Sequence, residues 1–245
     1  MTDPLVVPTV LAAAALALVH LFAGGLTALA ATPRSRWLSL AGGISVAYVF
    51  IHVLPELSAG QAAIEQTGLL GFLEHHTYLM ALLGLTVFYG LERAALRSRA
   101  AQRRAGAEDT PSAGVYWLHI GSFALYNALV GYLLVHREEP GLRSLARFTF
   151  ALGVHFVVND VGLRAHYARR YERGGRWLLA GSILVGWLVG VATELGAAAV
   201  ALLFAFLAGG VLLNVLKEEL PEERESRFWA FATGLGAYAA LLLLL

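Results

Sequence analysis

Residues 41–56 read Ala-Gly-Gly-Ile-Ser-Val-Ala-Tyr-Val-Phe-Ile-His-Val-Leu-Pro-Glu, and residues 208–222 read Ala-Gly-Gly-Val-Leu-Leu-Asn-Val-Leu-Lys-Glu-Glu-Leu-Pro-Glu. Each is a glycine pair followed by an apolar stretch and closed by Leu-Pro-Glu, the second one residue shorter. Two copies of one pattern point to a duplicated unit. Whether the copies run in the same or opposite directions depends on how many membrane crossings lie between them.

The chain has 245 residues, 58% hydrophobic and 14% charged, with a mean hydropathy of +0.66. That is more apolar surface than one soluble core of this length can bury, so lipid must cover part of it. A crossing needs about 20 mostly apolar residues. By that measure the chain is an all-α integral membrane protein, a single polytopic domain over residues 1–245. Its eight spans lie at about residues 5–29, 37–57, 70–91, 115–135, 145–163, 177–193, 195–216 and 228–245. The sixth and seventh are split only by Glu194 and the nearby Gly196. Ala28-Leu29-Ala30 resembles a signal-peptide cleavage site. The only charge before the first run is Asp3, however, and the run is long enough to span, so it reads as the first transmembrane helix.

Of the 18 Lys and Arg residues, all but Arg137, Arg143 and Arg147 fall in alternate connections or at their borders: Arg34 and Arg36, the group from Arg93 to Arg104, the group from Arg164 to Arg176, and Lys217 with Arg224 and Arg227. The positive-inside rule makes those loops cytoplasmic and puts both termini outside. Trp37, Trp117, Trp177 and Trp229 fall at the same boundaries, where amphipathic rings settle. The longest loop, 93–112, reads as mobile and cytoplasmic. The expected location is a bacterial inner membrane. Dispersed arginines argue against nucleic-acid binding, and the absence of Cys excludes thiolate metal sites and cysteine nucleophiles. With this topology spans two and seven run in opposite directions. The repeat is therefore inverted, as in secondary transporters that bind substrate near the midplane.

A central Asp costs about 2.5–3.5 kcal/mol on insertion scales, so polar groups at membrane depth need a partner, a cavity or a purpose. Span five reads Val154-His155-Phe156-Val157-Val158-Asn159-Asp160. His155, Asn159, Gly162 and His166 share one helix face, one wall of a polar path. Span four offers a second wall in His119, Ser122, Tyr126 and Asn127. Imidazole, amide and carboxylate together suit a borderline divalent ion such as zinc, while interhelical hydrogen bonding is the alternative reading of Asn127 and Asn159. His52 and Glu56 bracket the outer end of span two as a mouth for the path. Glu74, His75 and His76 form an exposed cluster before span three, Glu194 reads as exposed, His136 as loop, and His20 has no obvious partner in the sequence. No phosphate-cradling glycine loop, nucleophile elbow or HExxH is present, so no enzyme is expected.

The chain resembles the ZIP (ZRT/IRT-like) metal transporters nearly end to end. The resemblance rests on eight spans with both ends outside and a main cytoplasmic loop after span three. It rests also on His52-Val53-Leu54-Pro55-Glu56, similar to the family's His-Leu-Leu-Pro-Glu, and on Gly209-Gly210 with Leu220-Pro221-Glu222 in span seven. It implies a repeat of spans one to three by six to eight around four and five, and a path between spans two, four, five and seven. Tyr126-Asn127-Ala128-Leu129-Val130-Gly131 is similar to the family's HNxxDG, with Tyr126 for His and Val130 for Asp. His155-Phe156-Val157-Val158-Asn159-Asp160 is similar to HExPHE, keeping His155 and an acid at Asp160. Both bridging carboxylates of a binuclear site are missing, and a single site from Asn127, His155, Asn159 and Asp160 is what the resemblance leaves. The expectation is inward transport of a divalent metal as substrate, with no permanently bound cofactor. The alternative is a non-transporting sensor, regulator or assembly partner, or a carrier of something other than a metal. The lipid bilayer and the ion are the expected partners, and Gly-rich helix faces permit a homodimer.

Overall fold

The computed structural model describes residues 6–23, 36–65, 75–106, 111–137, 141–219 and 227–244. Among them there are helices and no strands: α1 (Val6–Phe22), α2 (Arg36–Tyr48), α3 (Leu54–Glu65), α4 (His76–Arg104), α5 (Ala113–Val135), α6 (Leu142–Arg170), α7 (Arg176–Ala192), α8 (Ala197–Glu219) and α9 (Phe228–Leu244). A π turn over Val49–Val53 joins α2 to α3, making one rod of the two. The described helices therefore form eight membrane-scale segments. Five are long and apolar enough to cross a bilayer, and Val6–Phe22 and Phe228–Leu243 are shorter apolar helices. Large apolar side chains such as Leu11, Phe22, Leu82 and Leu188 face outward, a surface compatible with a multi-pass membrane protein. In α6 the apolar run is punctuated by His155, Asn159, Asp160 and Arg164.

Two boundaries differ from expectation. Leu54-Pro55-Glu56 was expected to end its helix, but the chain continues helically to Glu65. Proline cannot donate to the preceding turn, and the wider π turn ahead of it absorbs the mismatch. The equivalent residues 220–222 lie outside the described residues. The loop expected over 93–112 is also shorter, because α4 runs to Arg104. Ala, Arg and Gln are strong helix formers, Ala95 is buried, and the helix ends only before Gly106, at a positive φ of 71° where glycine is favoured. The division between α7 and α8 holds. Thr193 is extended, His136 Nε2 donates to the carbonyls of Gly190 and Thr193 at 2.8 and 2.9 Å, and the Leu195 amide donates to the Tyr132 hydroxyl at 3.0 Å. The histidine satisfies carbonyls that the end of α7 leaves bare, and the tyrosine satisfies an amide ahead of α8.

Three helix pairs touch backbone to backbone. In α2 and α9, a Cβ on Gly43 would come under 3.0 Å from the Phe231 carbonyl oxygen and the Leu235 nitrogen, and one on Gly234 would meet the Leu40 carbonyl as closely. In α8 and α4, Gly209 stands the same way to Ala81 and Leu85, and Gly84 to Phe206. In α5 and α7, Gly131 stands so to Ile183 and Trp187, and Gly186 to Ala128. Every pair repeats one geometry: each glycine meets the carbonyl three residues before its partner glycine. Partner numbers rise together along both helices, so all three pairs are parallel. Close approach of this kind needs the missing Cβ of glycine and maximises dispersion contact where water supplies no driving force.

Packing divides the helices into two groups. One holds α1, α5, α6 and α7, and the other holds α2 with α3, α4, α8 and α9; they meet where α6 touches α2 and where α5 touches α4 and α8. The chain reverses at a second π turn, Tyr171–Gly175. Tyr116 and His119 of α5 meet Arg170 and Tyr167, whereas Asn127 and Tyr132 further along meet Leu179 and Gly190. α6 and α7 therefore run antiparallel on either side of α5.

Candidate functional site

The most enclosed polar group lies inside the first bundle. Because α1 and α6 run parallel, His20 falls beside Asp160, and its Nδ1 is 2.9 Å from Oδ1. Asn127 Nδ2 of α5 is 3.1 Å from His20 Nε2 and 3.5 Å from the Leu179 carbonyl. Since the amide must donate, Nε2 accepts and Nδ1 donates to the carboxylate. Tyr171 donates its hydroxyl to the same Asp160 oxygen. On a straight helix, eleven residues would set the two about 16 Å apart along the axis; the π turn folds the tyrosine back. Arg164 closes this group from the side. It reaches the His20 carbonyl at 3.4 Å, lies 5.2 Å over the Tyr171 ring and pairs with Glu172. His20, Asn127, Asp160 and Tyr171 are all 0% exposed. The sequence offered His20 no partner; the fold supplies Asp160.

Among the described residues, three cavities follow one another along the seam between the bundles. At the end opposite the arginines, Glu56, His136, Arg137 and apolar neighbours surround about 230 Å³. His52 Nε2 lies 3.3 Å from Glu56, so the two expected mouth residues do come together. Burial lowers the Arg137 pKa, and the Glu56 charge opposes the shift. The middle cavity, about 300 Å³, is apolar except for Tyr48 and Tyr126. At the Arg-rich end about 290 Å³ is bounded by Glu92, His119, Asn159, His166, Asn214 and Lys217, among others, with room for a water-sized or ion-sized guest.

α6 separates the four expected metal contacts. Asp160 and Asn127 belong to the enclosed network, whereas Asn159 faces the seam and His155 packs 6.4 Å from Tyr126. Asp160 follows Asn159 by about 100° around the helix. Along the seam His155 Nε2, Asn159 Nδ2 and the Tyr126 hydroxyl are buried without a hydrogen-bond partner, and in the network Asp160 Oδ2 and the Asn127 amide oxygen are also unpartnered. Most buried polar atoms find partners, so these atoms hold hydrogen-bonding capacity that the protein itself leaves unused. Among the described residues no group of three or more His, Asp or Glu is arranged to hold a metal ion.

The other expected path residues divide similarly. His119 shares a 2.5 Å hydrogen bond with Tyr167 and lines the Arg-rich cavity, as does His166, which is 3.4 Å from Glu92. Ser122 is half-buried, donates to the Leu118 carbonyl of its own helix and lines none of the three cavities. His75 is exposed and His76 buried, which corrects the picture of an exposed cluster; Glu74 lies outside the described residues. Glu194 is exposed as expected. Glu92, Asn214, Lys217 and Tyr171 escaped sequence reasoning: two look like loop charges, one is an isolated amide and one a helix-end aromatic. Compared with family profiles, curated proteins and solved structures, the chain matches none.

Proposed function

We propose that the chain is a transporter of ZIP-like construction that passes a divalent metal ion of the zinc class along the seam into the cytoplasm. The observation that carries this reading is the strip of buried, unpartnered His155, Asn159 and Tyr126 atoms between two charged cavities. Imidazole is the preferred neutral contact for such an ion. Asp160 and Asn127, one helix face away, supply the nearby negative charge and a further amide oxygen. The glycine contacts support an inverted repeat: aligned on Leu-Pro-Glu, Gly43 corresponds to Gly209, and each meets a glycine of its parallel neighbour, Gly234 or Gly84, in the same geometry. On this reading the Arg-rich end faces the cytoplasm, in keeping with the positive-inside rule, with both termini outside a bacterial inner membrane; glycine faces left over permit a homodimer.

Purified protein in liposomes loaded with a zinc-sensitive dye tests the reading. A zinc-dependent signal reduced at least tenfold by His155→Ala is expected. Silence from folded, intact protein overturns it.

A second reading, a relative that does not move metal, draws on the apolar middle cavity and on Lys217, whose ammonium sits 2.7 Å from Glu92 Oε1. Thermal-shift titration with zinc, cadmium and manganese separates the two. A ligand at 100 times its Kd stabilises by about 2.7 kcal/mol. A shift that disappears in Asn127→Ala removes the second reading, and no shift with any of the three ions favours it.

A further inference from the structure

The Arg-rich cavity contains a positive charge that an open metal path would not need. Among the described residues Glu92 is its only lining carboxylate, and it is 8% exposed. One oxygen, Oε1, receives both Lys217 Nζ at 2.7 Å and His166 Nε2 at 3.4 Å. The three come from different places. Glu92 and Lys217 belong to α4 and α8, held together through Gly84 and Gly209, and His166 reaches across the seam from α6. The remaining polar lining consists of the neutral donors His119, Asn159 and Asn214.

Two donor atoms bound to one tetrahedral zinc at 2.0–2.1 Å are about 3.3–3.4 Å apart, the spacing of the Glu92 oxygen and the His166 nitrogen. A lysine ammonium is a compact point charge on a flexible stem, able to occupy the space an ion would take beside a carboxylate. While it stays there, the carboxylate is neutralised and an arriving dication meets a like charge at close range.

We propose that this cavity is a divalent-cation site in which Lys217 stands in for the ion, closing the cytoplasmic end of the seam until a cation displaces it. Glu92 and His166 are the principal contacts, with Asn159 and Asn214 as neutral partners. Gly84 and Gly209 keep α4 and α8 in register, so the ammonium is delivered to the carboxylate by a rigid pair and leaves by swinging its side chain. The proposal rests on the seam being an ion path.

The test uses the purified full-length protein in a His155→Ala background, which removes the central contact. Equilibrium dialysis with zinc is expected to show Lys217→Met binding one more ion per chain, at least tenfold more tightly than the chain retaining Lys217. Lys217→Arg keeps the charge and the site closed, and Glu92→Gln added to Lys217→Met removes the gained ion. Because the chain has no cysteine, Leu163→Cys provides a single thiol in the same cavity. Its labelling by a cationic thiol reagent is expected to quicken at least tenfold with Lys217→Met or Lys217→Gln and not with Lys217→Arg. Unchanged zinc binding in Lys217→Met overturns the proposal, as does a gained ion that survives Glu92→Gln. Failure of the transport reading looks different: it is the absence of zinc flux from the chain with His155 intact.

Discussion

The two faces of α6 carry similar polar side chains and use them in opposite ways. On one, Asp160 is buried against His20 and Tyr171 in hydrogen bonds that reach Asn127 and Leu179. On the other, His155 and Asn159 are as deeply placed but keep unpartnered atoms beside cavities. Polarity at membrane depth is therefore not one signal. Closed in by neighbouring helices it joins them, even though Asp160 and Asn127 each keep one oxygen unpartnered; beside a cavity, as at Asn159, there is room for a ligand.

Substitutions can break or sharpen that contrast. The largest effect is expected from Asp160→Ala, which leaves His20 and Tyr171 without their shared acceptor; removing one partner of a buried pair costs roughly 3–5 kcal/mol, read as a lowered Tm in detergent. A loss no greater than that of His155→Ala would erase the difference between the two faces. Next come Gly43→Ala and Gly209→Ala, each forcing a methyl group onto facing backbone at about 1–3 kcal/mol. The two losses should be similar, and a clearly unequal pair would show that the joints are not equivalent. Tyr132→Phe removes the acceptor of the Leu195 amide and should cost about 1 kcal/mol, with faster hydrogen exchange confined to the α7–α8 connection. The smallest effect belongs to His155→Ala. No bond to Nε2 is lost, and relief of an unpaired buried group offsets lost packing, so folding stability should change by less than about 1 kcal/mol, read as a small Tm shift, while zinc flux falls.

Much of the architecture was legible because it is written in short-range pattern. Apolar runs marked the segments, and Glu194 with Gly196 marked the narrow break between α7 and α8. The cost of a charge in hydrocarbon singled out Asp160. What stayed hidden depends on distance along the chain. His20 and Asp160 are 140 residues apart, and no local spacing links them. Tyr171 looked like the start of a loop because nothing local announces the π turn that folds it inward. Lys217 and Glu92 lie at the ends of apolar runs, where a charge reads as solvated, although they meet inside the seam. Pro55 misled in the other direction, since a proline that normally closes a helix is here accommodated by five residues of wider winding.

The glycine joints also bear on how such a molecule changes over time. A contact made by backbone atoms asks for one absent side chain on each helix and leaves neighbouring positions free to drift. Two halves of one ancestral unit can thus lose nearly all resemblance in their letters while the same atoms continue to meet. In this chain the joints at Gly43 and Gly209 meet their partners through the same backbone atoms although the residues around them differ.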